Sequence, residues 1–210
     1  MIFAFFIGWI IGFAIAIPPG PLSLTVFTYA IERGSHVAVL IAAGGMVFEI
    51  IYALLGFMGI RFAEDVGLGT VLRIISCVVI LVLGFKHAFG ELRLELQPVE
   101  SKIQDRHSLL FLGLFLSGTA PTIAAGYLVF AGIVHSLNYF PASFVNNLIA
   151  SLAAGVGSMS WILCTLFFIQ QTRKSLNPSI IRLIARGSGI VLLAVGIYYA
   201  IDLIRHAIRV

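Results

Sequence analysis

Two long stretches of this chain, residues 1–31 and residues 107–172, contain no Asp, Glu, Lys or Arg. A helix needs about 20 apolar residues to cross the roughly 30 Å hydrocarbon core of a bilayer, and both stretches exceed that length. Over the whole chain 10% of the residues are charged, whereas soluble domains carry about 25%, and the mean hydropathy is +1.08. These values exclude a water-soluble globule and predict a polytopic membrane protein.

Six membrane-spanning helices are predicted from hydropathy together with the positions of glycine, proline and charge. Their ranges are 2–31, 37–60, 72–89, 109–134, 144–169 and 184–204, and a polar segment at 90–107 connects the third and fourth. The sequence lacks strand-like alternation with turn spacing, so the predicted fold is all-α. We interpret residues 1–210 as a single transmembrane domain.

Basic residues are concentrated after the first, third and fifth predicted spans. Those at or beside these connections are Arg33, Lys86, Arg93, Lys102, Arg106, Arg173 and Lys174, whereas the opposite side carries Arg61, Arg205 and Arg209. The side richer in Lys and Arg is normally cytoplasmic. We therefore expect both termini outside, a cytoplasmic loop at 90–107 and a bacterial-type inner membrane as the location. Anionic lipid, rather than nucleic acid, explains the net charge of +4.

Motifs for cofactors or for catalysis are absent from the sequence. The two cysteines, Cys77 and Cys164, are far apart in apolar segments, and the histidines form no pair at helical spacing. Walker-type loops, GxSxG and HExxH motifs and paired carboxylates do not occur. We therefore expect no cofactor, no metal ion and no catalytic residue.

The two halves of the chain show internal similarity. At one offset, three residues of the third predicted span align with three of the sixth: Ser76 with Ser188, Gly84 with Gly196 and Ala88 with Ala200. Within one residue of that shift, AAGGMVFEI at 42–50 aligns with AAGVGSMSW at 153–161. An odd number of spans per half would place the halves in opposite orientations, so we predict a 3+3 inverted repeat with halves 1–89 and 108–210. Chance similarity between apolar segments is the alternative interpretation.

The motif IPPGP at 17–21 interrupts the first predicted span. Proline has no amide hydrogen and clashes with the preceding turn, while glycine permits unusual backbone angles. Unpaired backbone groups in hydrocarbon cost several kcal/mol, so they persist only where protein, water or a ligand satisfies them. We therefore predict a broken helix beside a polar cavity, with Pro18, Pro19, Gly20, Pro21 and Ser23 as candidate substrate-binding residues. A simple proline kink is the alternative.

The motif TAPT at 119–122 supplies a second interruption at the corresponding place in the fourth span. Thr119, Pro121 and Thr122 are therefore the candidate substrate-binding residues of the second half. The free amides and positive dipole at the start of a helix suit a carboxylate. We expect the two breaks to face each other near the middle of the bilayer.

Glu49 is the only acidic residue well inside a predicted span. An ionised carboxylate at the bilayer centre costs about 2.5 to 3.5 kcal/mol on insertion scales, so this one must be paired, face water or be protonated. Ionisable residues inside membranes are usually functional. Glu49 is therefore the candidate residue for proton or cation coupling, and a purely structural hydrogen bond is the alternative.

The stretch PPGPLSLTVFTYAIERGSHVAVLIAAGGMVFEIIYALLG resembles the first two spans of LysE/RhtB-type amino-acid exporters. That family carries a proline-glycine break, a basic-glycine connection and an acidic residue in the second span, where Glu49 replaces the usual Asp. The number of spans and GSGIVLLAVGIYYAI at 187–201 are also similar. Two departures, Ala120-Pro121-Thr122 in the fourth span and SCVVILVLGF in the third, leave the substrate open.

The resemblance implies a secondary transporter, not an enzyme, that exports amino acids or related small metabolites with the proton or ion gradient. Its partners would be a small-molecule substrate and the lipid bilayer, and homo-oligomerisation is left open. An intramembrane enzyme acting on a lipid-linked substrate would need at least two convergent catalytic groups, whereas the sequence offers scattered His and Arg. The remaining alternative is an accessory membrane subunit in which Glu49 pairs with a neighbouring helix.

Overall fold

The computed structural model describes residues 1–65, 105–137, 139–141 and 143–172, together with individual residues between 74 and 90 and between 183 and 205. Over these residues the chain forms helices and no strand. Six helices have defined bounds: α1 Ile2–Ala16, α2 Pro21–Arg33, α3 Ser35–Asp65, α4 Arg106–Gly118, α5 Pro121–Ser136 and α6 Phe144–Thr172. The all-α prediction is confirmed.

Four of the six predicted spans are represented by these helices. In α3 and α6 the segments Ser35–Gly59 and Phe144–Gln171 are long and apolar enough to cross a membrane unaided. The pair α1 and α2 is bent by 74° and the pair α4 and α5 by 59°, and each pair is long enough to be one broken span. The described residues of the predicted third and sixth spans are helical but not contiguous, and residues 91–104 of the polar segment lie outside the described residues.

The helices that pair most closely do so through glycine. A side chain at Gly8 or Gly12 of α1 would overlap the backbone of Ala150 or Ala154 in α6. The pair α3 and α4 has the same construction, because a side chain at Gly113 would overlap the backbone of α3. Small residues let helix backbones approach closely, which is the usual way in which helices associate in membranes.

The direction of each helix follows from its contacts. Helix α1 runs parallel to α6, since Gly8 lies at Ala150 and Gly12 at Ala154. Helices α3 and α4 are also parallel, whereas α3 and α6 are antiparallel: Gly155 lies against Ile50, while the Asn147 amide reaches the carbonyl of Phe57. Because α4 begins at the end of the bundle where α3 begins, the chain has to return from one end to the other between residues 65 and 105.

Buried apolar residues form two clusters at opposite ends of the bundle. One surrounds the start of α3 and contains Val26, Ile41 and Leu166; the other surrounds its later part and contains Phe57 and Tyr127. The outer surface carries phenylalanines that are each more than half exposed, as expected for a surface in lipid: Phe3, Phe6, Phe85, Phe89, Phe111, Phe144 and Phe168. Between the two clusters lies a layer of buried polar groups.

Candidate functional site

The first break has the geometry expected from its prolines. Helix α1 ends at Ala16 and α2 begins at Pro21, with Pro18, Pro19 and Gly20 in the linker. Gly20 is the N-cap of α2 in extended conformation (φ −109°, ψ −179°), and no side chain caps this helix start. Ser23 is buried in the first turn of α2. The start of the second half-helix at Pro21 is confirmed.

The backbone carbonyls around this break have lost their helical donors. Prolines at 18, 19 and 21 cannot donate to the carbonyls four residues earlier. The amide of Ile17 donates to the carbonyl of Ala14 over 3.3 Å. Among the described residues, no side chain donates to the carbonyls of residues 15–19. Within the described part of the chain, the first break therefore leaves backbone acceptors without a donor.

The second break is shorter. Helix α4 ends at Gly118, Thr119 and Ala120 form the link, and α5 begins at Pro121. The hydroxyl of Thr119 donates to the carbonyl of Phe115 over 2.8 Å and keeps its lone pairs for accepting. Ala120 is the N-cap of α5 and offers no side-chain cap. The side chains of Pro121 and Thr122 lie outside the described ones.

A tyrosine from α3 hydrogen-bonds to the backbone at the second break. The hydroxyl of Tyr52 donates to the carbonyl of Gly118 over 2.6 Å, the place that a helical amide would take in an uninterrupted helix. The ring of Phe48, which packs on Tyr52 at 5.6 Å between centroids, lies directly against Gly118. Sequence reasoning missed Tyr52, although its position three residues after Glu49 places both on one face of α3.

Glu49 lies near the middle of α3 with 4% of its surface exposed. The hydroxyl of Tyr127 in α5 donates a long hydrogen bond to Oε2 of Glu49 over 3.4 Å. The hydroxyl of Ser158 in α6 lies close to the same carboxyl group. Tyr127 and Ser158 are themselves buried. Glu49 therefore joins α3, α5 and α6 in the polar layer between the two apolar clusters.

The partners of Glu49 decide what its carboxyl group can do. Among the described residues, no Lys or Arg forms an ion pair with it, and the two side chains beside it carry neutral hydroxyls. Hydroxyls can donate to a carboxylate or accept from a carboxylic acid by rotating. The group can therefore hold a proton or a cation without first breaking an ion pair.

The end of α1 lies close to this layer. Ile15, two residues before the first linker, lies within 3.7 Å of the Cβ position at Gly126 in α5. Gly126 is the neighbour of Tyr127 along the chain. The structure thus brings the last turn of α1 and the helix that follows the second break into contact beside the Glu49 layer.

A second polar cluster lies about 12 Å further along α3, eight residues at 1.5 Å each. The carbonyl of Phe57 is 3.2 Å from Nε2 of His135 and accepts from Nδ2 of Asn147 over 3.4 Å. All three residues are buried. The sequence predicts His135 at the end of a span, but gives no sign that it faces inward. Over the described residues, no three His, Cys, Asp or Glu side chains are close enough to hold a metal ion.

Comparison with known proteins identifies the chain at the level of a family. The LysE type translocator profile matches residues 13–203, a range that includes both breaks, Glu49 and Tyr127. No curated protein and no solved structure gives a significant match. The resemblance noted from the first two predicted spans is confirmed. Since the match covers most of the chain, the protein belongs to the LysE type translocators, a family of membrane transport proteins.

Proposed function

We propose that this chain exports amino acids or related small metabolites across the cytoplasmic membrane as a secondary transporter coupled to the proton or ion gradient. The observation that carries the proposal is the burial of Glu49 among neutral hydroxyls where three helices meet. A carboxyl group without a basic partner in its described surroundings can exchange a proton for the ammonium of a substrate. Membrane translocation itself follows from the family.

The two breaks are the proposed binding groups for the substrate carboxylate. Both half-helices that follow them begin without a side-chain cap, and since Pro21 and Pro121 have no amide hydrogen and the Ile123 amide donates to the Ala120 carbonyl, the amides left for an anion are those that directly follow each proline. The proposed contacts are those at the first break, Pro18, Pro19, Gly20, Pro21 and Ser23, and those at the second, Thr119, Pro121 and Thr122. Glu49 would lie on the ammonium side of the substrate.

We propose six spans in a 3+3 inverted repeat, with halves 1–89 and 108–210 and a cytoplasmic connection at 90–107. Two contacts support this arrangement: α1 packs parallel to α6, and α4 packs parallel to α3. Each pair joins the first half-helix of one repeat to the second span of the other. The symmetry of an inverted repeat therefore relates the pair of α1 and α6 to the pair of α4 and α3. Rocking one half against the other would then give alternating access. The bias of Lys and Arg supports placing both termini outside.

The test uses purified protein in proteoliposomes loaded with a mixture of labelled amino acids and subjected to a pH gradient. We expect Glu49→Gln to abolish gradient-driven export, since the amide keeps the shape of the side chain but cannot titrate. Glu32→Gln, the same change at an exposed position on α2, is the matched control and should transport normally. Undiminished gradient-driven export by Glu49→Gln would contradict the proposed role of Glu49 in coupling.

A further inference from the structure

The distribution of charge along the chain limits what the central site can hold. All 13 Lys and Arg residues lie in connections or near the ends of predicted spans, and the same is true of every acidic residue except Glu49. Within the described part of the bundle, Glu49 is the one buried acidic side chain. The described interior therefore offers one acidic side chain and no buried Lys or Arg.

This balance matches a substrate with one ammonium group. Glu49 can pair with that ammonium, and backbone amides at the helix starts can take the carboxylate. A second ammonium on the side chain, as in a dibasic amino acid, would be buried without a partner, and so would a second carboxylate. Leaving a buried charge unpaired is strongly unfavourable. The site should therefore reject amino acids whose side chains are charged.

An aromatic cluster borders the Glu49 layer. Trp161 lies three residues after Ser158 on α6, and residues at this spacing share a helix face. The ring of Phe13 in α1 meets Trp161 edge to face, with 5.3 Å between centroids, and Trp9 lies 5.5 Å from Phe13. Through Trp161 the cluster lies on the face of α6 that carries Ser158, beside the Glu49 layer.

The hydroxyls near this cluster are already engaged. Ser160 donates to the carbonyl of Val156 over 2.7 Å and accepts from Nε1 of Trp9 over 3.3 Å. Thr165 donates to the carbonyl of Trp161 over 2.9 Å. A polar substrate side chain placed here would lose its bonds to water and gain little from these groups. An apolar or aromatic side chain suits the surface better.

We propose that the transported substrates are amino acids with a single ammonium group and an uncharged apolar side chain of up to aromatic size, which packs against Phe13 and Trp161. This inference rests on the proposed export function and on Glu49 as the ammonium partner. The substrate class follows from the charge balance of the described interior and from the aromatic cluster of Trp9, Phe13 and Trp161. Trp161 is the residue that sets the preference for large side chains.

The first test compares L-phenylalanine, L-leucine, L-lysine and L-glutamate in counterflow with the wild-type protein in proteoliposomes. We expect kcat/KM for L-phenylalanine and L-leucine to exceed that for L-lysine and L-glutamate at least about tenfold, because unpaired buried groups give strong discrimination. Equal or faster movement of L-lysine or L-glutamate would overturn the substrate class and leave amino-acid export standing. Movement of none of the four would contradict both.

The second test removes one ring of the aromatic cluster formed by Trp9, Phe13 and Trp161. Trp161→Ala should raise KM for L-phenylalanine about tenfold, with little change for L-alanine, whereas Trp161→Phe should keep most of the preference. Phe111→Ala, which removes an exposed ring from α4, is the control. Gel filtration and the melting temperature in detergent report folding. Equal losses for both substrates in Trp161→Ala, or an unchanged preference, would show that Trp161 does not contact the substrate side chain.

Discussion

The two proline breaks are built alike but differ in how their backbone is satisfied. The break between α4 and α5 contains one proline, bends the chain by 59°, and has its freed Gly118 carbonyl bonded by Tyr52 of α3. The break between α1 and α2 contains three prolines and bends the chain by 74°. Over the described residues it receives no side-chain donor at the carbonyls of 15–19.

The difference indicates which break belongs to the fixed part of the molecule. Helix α5 is tied to α3 twice, by Tyr127 on Glu49 and by His135 on the Phe57 carbonyl. Helix α2 packs on α3 through apolar side chains, with Leu22 in the space left by Gly45 and Val26 in the cluster that contains Ile41. We therefore infer that the second break moves together with Glu49, whereas no hydrogen bond among the described residues ties the first break to α3 in this way.

The largest effect is expected from separating α4 from α3. In Gly113→Ala the new methyl group would overlap the backbone carbonyl of Ile41, which cannot move without shifting a helix. We expect a loss of about 3 kcal/mol, the upper range for overpacked cores, seen as a lower melting temperature in detergent. Gly59→Ala on α3 is the matched control, because no described atom lies within 4 Å of its Cβ position. A Gly113→Ala protein as stable as Gly59→Ala would disprove the tight α3 and α4 contact.

Removing the Tyr52 hydroxyl should have a smaller effect on stability. Tyr52→Phe leaves the partly buried Gly118 carbonyl without its donor, which costs about 1 kcal/mol, the lower end of the range for unsatisfied acceptors. The melting temperature in detergent should fall, and the conformation at the second break should become more mobile in hydrogen exchange. Tyr139→Phe, which removes an exposed hydroxyl, should change neither measurement. Equal melting temperatures and equal hydrogen exchange in the two variants would show that the Tyr52 hydroxyl does not stabilise the second break.

The smallest effects come from adding a methyl group at each break. Gly118→Ala places its Cβ 2.8 Å from the Phe48 ring, closer than the 3.4–4 Å of an ordinary contact, and because the ring can turn aside we expect a loss of about 1 kcal/mol. Gly20→Ala meets no described atom within 4 Å and keeps an extended backbone that any residue adopts, so it should be neutral. The melting temperatures of Gly118→Ala and Gly20→Ala measure this difference in stability. A larger fall in melting temperature for Gly20→Ala than for Gly118→Ala would contradict the conclusion that the second break is the more tightly packed of the two.

The sequence was sufficient for features that depend on local chemistry. Prolines without amide hydrogens predict both breaks, and the start of α2 at Pro21 and of α5 at Pro121 follows from them. Glu49 is conspicuous because an isolated acid in an apolar span is costly. Its burial agrees with that expectation, while its role in coupling stays a prediction.

The partners of Glu49 and of the second break could not be predicted, because they come from distant parts of the chain. Tyr127 is 78 residues from Glu49, and Tyr52 is 66 residues from Gly118. A tyrosine in an apolar helix follows no pattern that distinguishes an inward-facing hydroxyl from one at the lipid interface. The register of α3 against α5 decides which face is inward, and that register follows from glycine contacts such as Gly56 on the Tyr127 carbonyl.

The most direct test of the central claim is proton movement during substrate exchange. Proteoliposomes with a trapped pH-sensitive dye are given an amino-acid gradient that the wild-type protein transports. The wild-type and Glu32→Gln proteins should move protons with the substrate, whereas Glu49→Gln should lose the proton movement and also exchange substrate more slowly, because its amide no longer pairs with the substrate ammonium. Proton flux in Glu49→Gln equal to that of the wild type, at the same rate of substrate movement, would show that Glu49 does not carry the coupling.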